Sequence, residues 1–128
     1  MTKIVTAVFE ISAWEPTAFP GIEAWLGAVT MRKHYTKGLI GESEGPFLHT
    51  GDEANRGYLA MERISGELED GRRGSFVVHH GAVQSSDHPS AFGYIVPGSG
   101  AGDFASWSGS ARIEHDEAGA ASFVFTLD

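Results

Sequence analysis

Apolar residues recur at every second position along most of this chain, and almost nowhere at the 3.6-residue spacing of a helix. Between residues 4 and 14, Val5, Ala7, Phe9, Ile11 and Ala13 fall on one side, with Thr6, Glu10 and Ser12 on the other. Segment 26–36 repeats the pattern, setting Val29, Met31 and Tyr35 against Thr30, Arg32 and His34. Segment 39–50 is weaker, being interrupted by Gly41, Gly45 and Pro46. Segments 55–68 and 74–83 are good strands joined through Asp70-Gly71, a strong hairpin signal because glycine adopts a positive φ at little cost. Strand-like pieces follow at 91–96, 105–114 and 122–127, with the glycine-rich 97–102 between the first two and Ala118-Gly119-Ala120 as a final turn. Only 19–25 has room for a short helix, and Pro20-Gly21 inside it opposes one.

About eight strands at intervals of roughly a dozen residues predict one all-β antiparallel domain over 1–128, a sandwich or a closed barrel. The strand number favours the eight-stranded closed β-barrel. Such a cylinder is just wide enough to be filled by side chains or to hold one small molecule, and closure removes exposed sheet edges. Glycine makes up 17 of the 128 residues and is spread along the chain, where it punctuates strands rather than forming a linker.

Charge and composition narrow the function. Nine Lys and Arg against 17 Asp and Glu leave a formal charge of −8, which argues against nucleic acid or an anionic membrane surface as partner. The absence of cysteine excludes disulfides, thiolate metal sites and a thiol nucleophile. No apolar run approaches the ~20 residues of a membrane-spanning helix. Met1-Thr2-Lys3-Ile4 lacks the features of a signal peptide, so the expected location is the cytoplasm.

The segments Glu62-Arg63-Ile64-Ser65-Gly66, Gly74-Ser75-Phe76-Val77-Val78-His79-His80-Gly81 and Val96-Pro97-Gly98-Ser99-Gly100-Ala101-Gly102 resemble the core pattern of the domain of unknown function 3224 family. Phe9-Glu10-Ile11-Ser12-Ala13-Trp14-Glu15 and Phe125-Thr126-Leu127-Asp128 resemble its two ends, so the likeness runs in order over nearly the whole chain. The resemblance implies a bacterial eight-stranded antiparallel barrel similar to allene oxide cyclase, within a lipocalin-like group of ligand-holding cylinders. It implies no particular reaction.

Glu62 is the leading candidate for chemistry. Its same-face neighbours are Tyr58, Ala60 and Ile64, and a carboxylate among apolar side chains is expected to have a raised pKa and to serve as a general base. The structural alternative is an ion pair with an arginine such as Arg32, or an outward-facing side chain. His80 shares a face with Phe76, Val78 and Ala82, and His79 shares the other with Ser75, Val77 and Gly81. Counting from a turn centred between Asp70 and Gly71 places Glu62 opposite His79, and a slip of one residue would choose His80 instead. Glu62 with His80 is taken as the acid/base pair, and His79 and Tyr58 as ligand contacts. Trp14, Tyr35, Tyr94 and Trp107 are candidates to line an internal cavity beside them.

Other constellations read as structure. Adjacent strand histidines leave opposite faces, so His79 and His80 cannot grip one metal ion. The 98–102 loop lacks the following helix of a phosphate cradle, and Ser99 lies outside any nucleophile-elbow frame. Lys3, Lys33, Lys37, Arg72 and Arg73 read as solvated, as do Glu67, Glu69 and Asp70. The expected function is a small-molecule-binding barrel holding an apolar or aromatic molecule. Any catalysis would be a cofactor-independent isomerisation, cyclisation or elimination, which needs a shaped pocket and one acid/base group. The alternative is a filled, non-catalytic barrel acting as an interaction module, and in both cases a homo-oligomer is expected.

Overall fold

The computed structural model describes residues 3–22 and 24–128. Among the described residues the strands are β1 (Lys3–Pro16), β2 (Gly27–Lys37), β3 (Leu39–Gly51), β4 (Arg56–Leu68), β5 (Arg73–Gln84), β6 (Ser90–Ile95), β7 (Ala101–Gly102), β8 (Gly109–His115) and β9 (Ala121–Leu127). Every neighbouring pair is antiparallel, and the order β4-β3-β2-β1-β9-β8-β6-β5 is closed by a β4–β5 pairing. The result is a closed eight-stranded barrel, with the two-residue β7 as an extra pairing on β5. The sandwich alternative is thereby excluded. Residue 23, within the candidate helix at 19–25, lies outside the described residues; those beside it form turns.

Alternation along the strands puts one side chain in two into the cylinder. One end is filled. Phe76 meets Phe104, Trp107 and Phe125 at ring-centroid distances of 5.8, 5.1 and 5.2 Å, with Leu39, Ile64, Val78 and Ile95 packed around them. Phe104 and Trp107 come from the segment between β6 and β8, which folds across this end as a plug. It is held where the Asp103 carboxylate accepts the Arg73 N–H at 2.9 Å and Ser99 Oγ donates to the Val96 carbonyl at 2.6 Å. The strand predicted for 105–114 therefore begins only at Gly109. Residues 103–106 instead turn Phe104 and Trp107 into the core.

A bulge in β1 alters the predicted inner face. Pairing with β2 skips a residue between Ile11 and Ala13, which leaves Ile11 54 % exposed rather than interior. Beyond the bulge, Trp14 is brought opposite the buried Met31 and its ring stands 4.6 Å from that of Phe47.

The β4–β5 hairpin is one residue longer in its loop than the simplest count. The Leu68 carbonyl accepts the Gly71 N–H at 3.0 Å, and the Leu68 N–H donates to the Arg72 carbonyl at 2.8 Å. Gly71, with φ of 89°, takes the left-handed position that such a three-residue loop requires. The pairing is then symmetric about Asp70 itself. Glu62 opposes Val78, and Ala60 opposes His80. This single-residue shift puts Glu62 and His80 on one inner face and sends His79 outside.

Candidate functional site

Four inner strands converge on Glu62, which is 0 % exposed. Lys33 of β2, 3 % exposed, donates to Oε2 at 2.8 Å. Ser43 of β3 donates to Oε1 at 2.7 Å, and the Tyr35 hydroxyl reaches the same oxygen at 3.4 Å. His80 Nε2 lies 2.5 Å from Oε2. Its other ring nitrogen, Nδ1, is 3.0 Å from the Tyr58 hydroxyl. No buried side-chain polar atom among the described residues lacks a partner.

Burial alone would raise the Glu62 pKa, as the sequence suggested. The hydrogen bond from His80 and the positive charge of Lys33 outweigh it and lower the carboxyl to about 2. That corrects the expected role: Glu62 is a permanent anion, too weak a base to abstract a proton at neutral pH. A carboxylate only accepts, so the Nε2–H of His80 donates to it, and the tautomer follows. Glu62 thus orients His80, while Nδ1 faces Tyr58. Burial, with the negative charge of Glu62, raises the Tyr58 pKa, so this residue is a neutral phenol at pH 7.

The Lys33 ammonium has less support than its partner. Its pKa is lowered by burial, which the attraction of Glu62 only partly offsets. Besides Glu62 it has the faces of Phe9 and Phe123, whose centroids are 4.0 and 4.6 Å away. Glu62, by contrast, has four side chains around it. The pair is therefore asymmetric, with the anion better solvated by the protein than the cation.

Glycines make the room. On β3 the inward positions flanking Ser43 are Gly41 and Gly45, opposite Tyr35 and Met31 respectively. A Cβ at Gly45 would stand 1.7 Å from the Met61 carbonyl oxygen, so β3 and β4 approach there only because that residue is glycine. The interruptions that weaken this strand in sequence thus mark the position of the charged cluster.

Above the cluster the barrel is open. Phe47, Tyr58, Ala82, Gly93, Ile113 and Ala121 occupy inward positions, yet all remain partly exposed, so solvent enters from this end. Phe47 stacks on Tyr58 at 4.5 Å, and Trp14 and His49 flank Phe47. Tyr58 is therefore the member of the hydrogen-bonded chain that reaches the opening, with His80 and Phe123 forming the floor behind it, 5.3 Å apart.

The remaining sequence candidates are dispersed. Tyr35 lies within the buried cluster and Trp14 stands at the rim. Trp107 sits in the plug at the opposite end, against Phe104 at 4.2 Å. Tyr94 and His79 pair with each other on the outer wall at 3.1 Å, away from the interior. Arg32 bonds Glu44 on the surface and has no part in holding Glu62. Lys33, read as solvated, is the principal residue missed. Its place on the Val29–Met31–Tyr35 face was the available signal. Among the described residues no group of three or more His, Asp or Glu side chains is arranged to hold a metal ion.

A family model described as "Protein of unknown function (DUF3224)" matches residues 5–127. The crystal structure of a protein of unknown function from the DUF3224 family, from Shewanella oneidensis MR-1, is similar to this one with a TM-score of 0.84. It has 27 % sequence identity over 100 % of this chain and 97 % of that one. No curated protein matches the chain. With a family model spanning nearly its whole length and a solved member sharing its barrel, this chain belongs to the DUF3224 family of proteins of unknown function.

Proposed function

We propose that the open end of the barrel is a binding cup for a small apolar or aromatic molecule, and that Tyr58, backed by His80 and Glu62, handles a proton on it. The observation that carries this reading is the continuous chain Tyr58–His80–Glu62–Lys33. It leads from a half-buried phenol at the opening to an ion pair sealed in the interior. Well-packed apolar residues of similar volume often stabilise a core as well as or better than a buried ion pair. A charged cluster directly behind an aromatic-walled opening is a functional-site signature on physical grounds.

The chemistry follows from the proton positions. With Nε2–H committed to Glu62, His80 can accept the Tyr58 proton at Nδ1 as a substrate proton moves to the phenolic oxygen. Protonated His80 can instead hold the Tyr58 oxygen, freeing the O–H to donate to a carbonyl or enolate oxygen. Glu62 stabilises the imidazolium in both cases, and Lys33 balances the anion. A proton shift of this kind serves isomerisation, cyclisation or elimination without a cofactor. The likeness to allene oxide cyclase that the sequence resemblance implies would fit the same reaction class, by fold analogy alone.

Binding is tested by thermal denaturation with a panel of small aromatic aldehydes, ketones and phenols. A panel member at 100 times its Kd stabilises the native state by about 2.7 kcal/mol. We expect such a shift in the native protein and its loss in Tyr58→Phe and Phe47→Ala. A panel without effect, or binding that survives both substitutions, refutes the cup.

A further inference from the structure

We infer that the outer wall formed by β3, β4, β5 and β6 is a self-association surface, and that a second copy of this chain covers it. Two lateral rows cross these strands on their outward faces. Leu48, Leu59, Gly81 and Phe92 are consecutive register partners, as are Met61, His79 and Tyr94 on the neighbouring row, which Pro46 of β3 adjoins. Leu59, Met61, Phe92 and Tyr94, with Val83 beside them, are each between 44 % and 58 % exposed.

The shelf is flat because of Gly81. A Cβ there would meet the Phe92 ring at 2.7 Å and Leu59 Cδ2 at 3.0 Å, so both side chains lie down over the glycine instead of standing off the wall. Phe92 and Tyr94 are stacked at 6.4 Å, and His79 is tied to Tyr94, which fixes the surface in one shape.

Area and charge choose the occupant. The five exposed side chains present about 500 Å² per copy, taking ~200 Å² as the size of a large side chain. That is at the upper end of apolar patches tolerated on monomers. Two copies face to face would remove about 1,000 Å² before Pro46, Leu48 and His79 are counted, enough for a specific interface. The chain carries a net charge of −8, yet neither row contains a carboxylate. Beyond the rows, Glu44 and Glu114 are each matched to an arginine at 2.8 Å, and the carboxylate of Asp128, which shares a surface recess with Tyr94, accepts the Ser108 hydroxyl at 2.9 Å. Two copies therefore repel over most of their surface and can approach through this neutral shelf. A basic partner would be drawn to the acidic faces instead. Because the same patch serves both copies, the expected assembly is a two-fold dimer with the barrel walls packed about 10 Å apart.

Sedimentation at about 100 μM, above the micromolar range that an interface of this area reaches, reads the outcome. The native chain should sediment as a dimer. Leu59→Glu/Phe92→Glu should be monomeric, with its Kd raised at least about 100-fold and its β-sheet circular dichroism unchanged. Met61→Lys, a single change on the neighbouring row, gives the same readout should the double variant fail to fold. Ile40→Glu, at an exposed apolar position outside both rows, should remain dimeric. A monomeric native chain, or association undiminished in the folded shelf variants, overturns the inference.

Discussion

Replacing Lys33 by Met isolates the electrostatics of the buried cluster. Met follows the lysine stem between Phe9 and Phe123 and keeps most of the packing, so the main loss is the ammonium 2.8 Å from Glu62. Removing one partner of a buried pair typically costs about 3–5 kcal/mol, because the remaining charge is left uncompensated. An independent route gives a similar size. The Glu62 carboxyl is lowered from 4.5 to about 2. At 1.36 kcal/mol per unit that is ~3 kcal/mol of stability, shared among Lys33 and the other partners.

The pH dependence separates this account from simple loss of packing. A depressed carboxylate pKa contributes stability that is complete above its unfolded value, and that drains away as pH falls from about 5 towards 2. In Lys33→Met the carboxyl keeps its burial but loses the ammonium, so its folded pKa rises and less stability remains to be lost on acidification. The gap between native chain and variant, measured by urea denaturation, should therefore be about 3 kcal/mol or more at pH 7 and shrink steadily towards pH 3. Adding Glu62→Gln to Lys33→Met should recover part of the loss, since no bare anion remains. A gap that stays constant from pH 7 to pH 3, or a double variant no more stable than Lys33→Met, would refute the reasoning and assign the loss to packing.

Two further outcomes test the scaffold. Gly45→Ala should lower stability by about 2–3 kcal/mol, because its Cβ has no space beside the Met61 carbonyl and β3 must move away from β4; thermal melting reads this, and an unchanged melting point would refute the close approach. Phe104→Ala should cost about 3–5 kcal/mol by emptying the plug against Phe76 and Trp107, yet leave binding of aromatic probes at the opposite end intact in the variant that remains folded.

Much of this architecture is legible in the chain itself because a period-two pattern has one physical meaning. Residues at i and i+2 share a sheet face, so Tyr58, Ala60, Glu62 and Ile64 are grouped before any coordinates exist, as are Phe76, Val78 and His80. Strand number then favours a barrel, and the β4–β5 pairing closes it. The same rule reached Lys33, which alternates with Met31 and Tyr35, but its charge favoured a solvated reading over the pattern. Pattern was the better guide, since a partner on another strand can hold an ammonium inside. That partner is 29 residues away and invisible to any local window.

Sequence by itself determined an all-β antiparallel chain, favoured a barrel over a sandwich and grouped Glu62 with apolar residues on one strand face, because alternation and turn chemistry are local properties of neighbouring residues. Tertiary structure alone decided which histidine meets Glu62, since one extra residue in the Asp70 loop exchanges the two faces of β5. It also decided the state of the carboxylate. Burial pushes that pKa up while the hydrogen bond from His80 and the charge of Lys33 pull it down, and the balance depends on strands brought together only when the barrel closes.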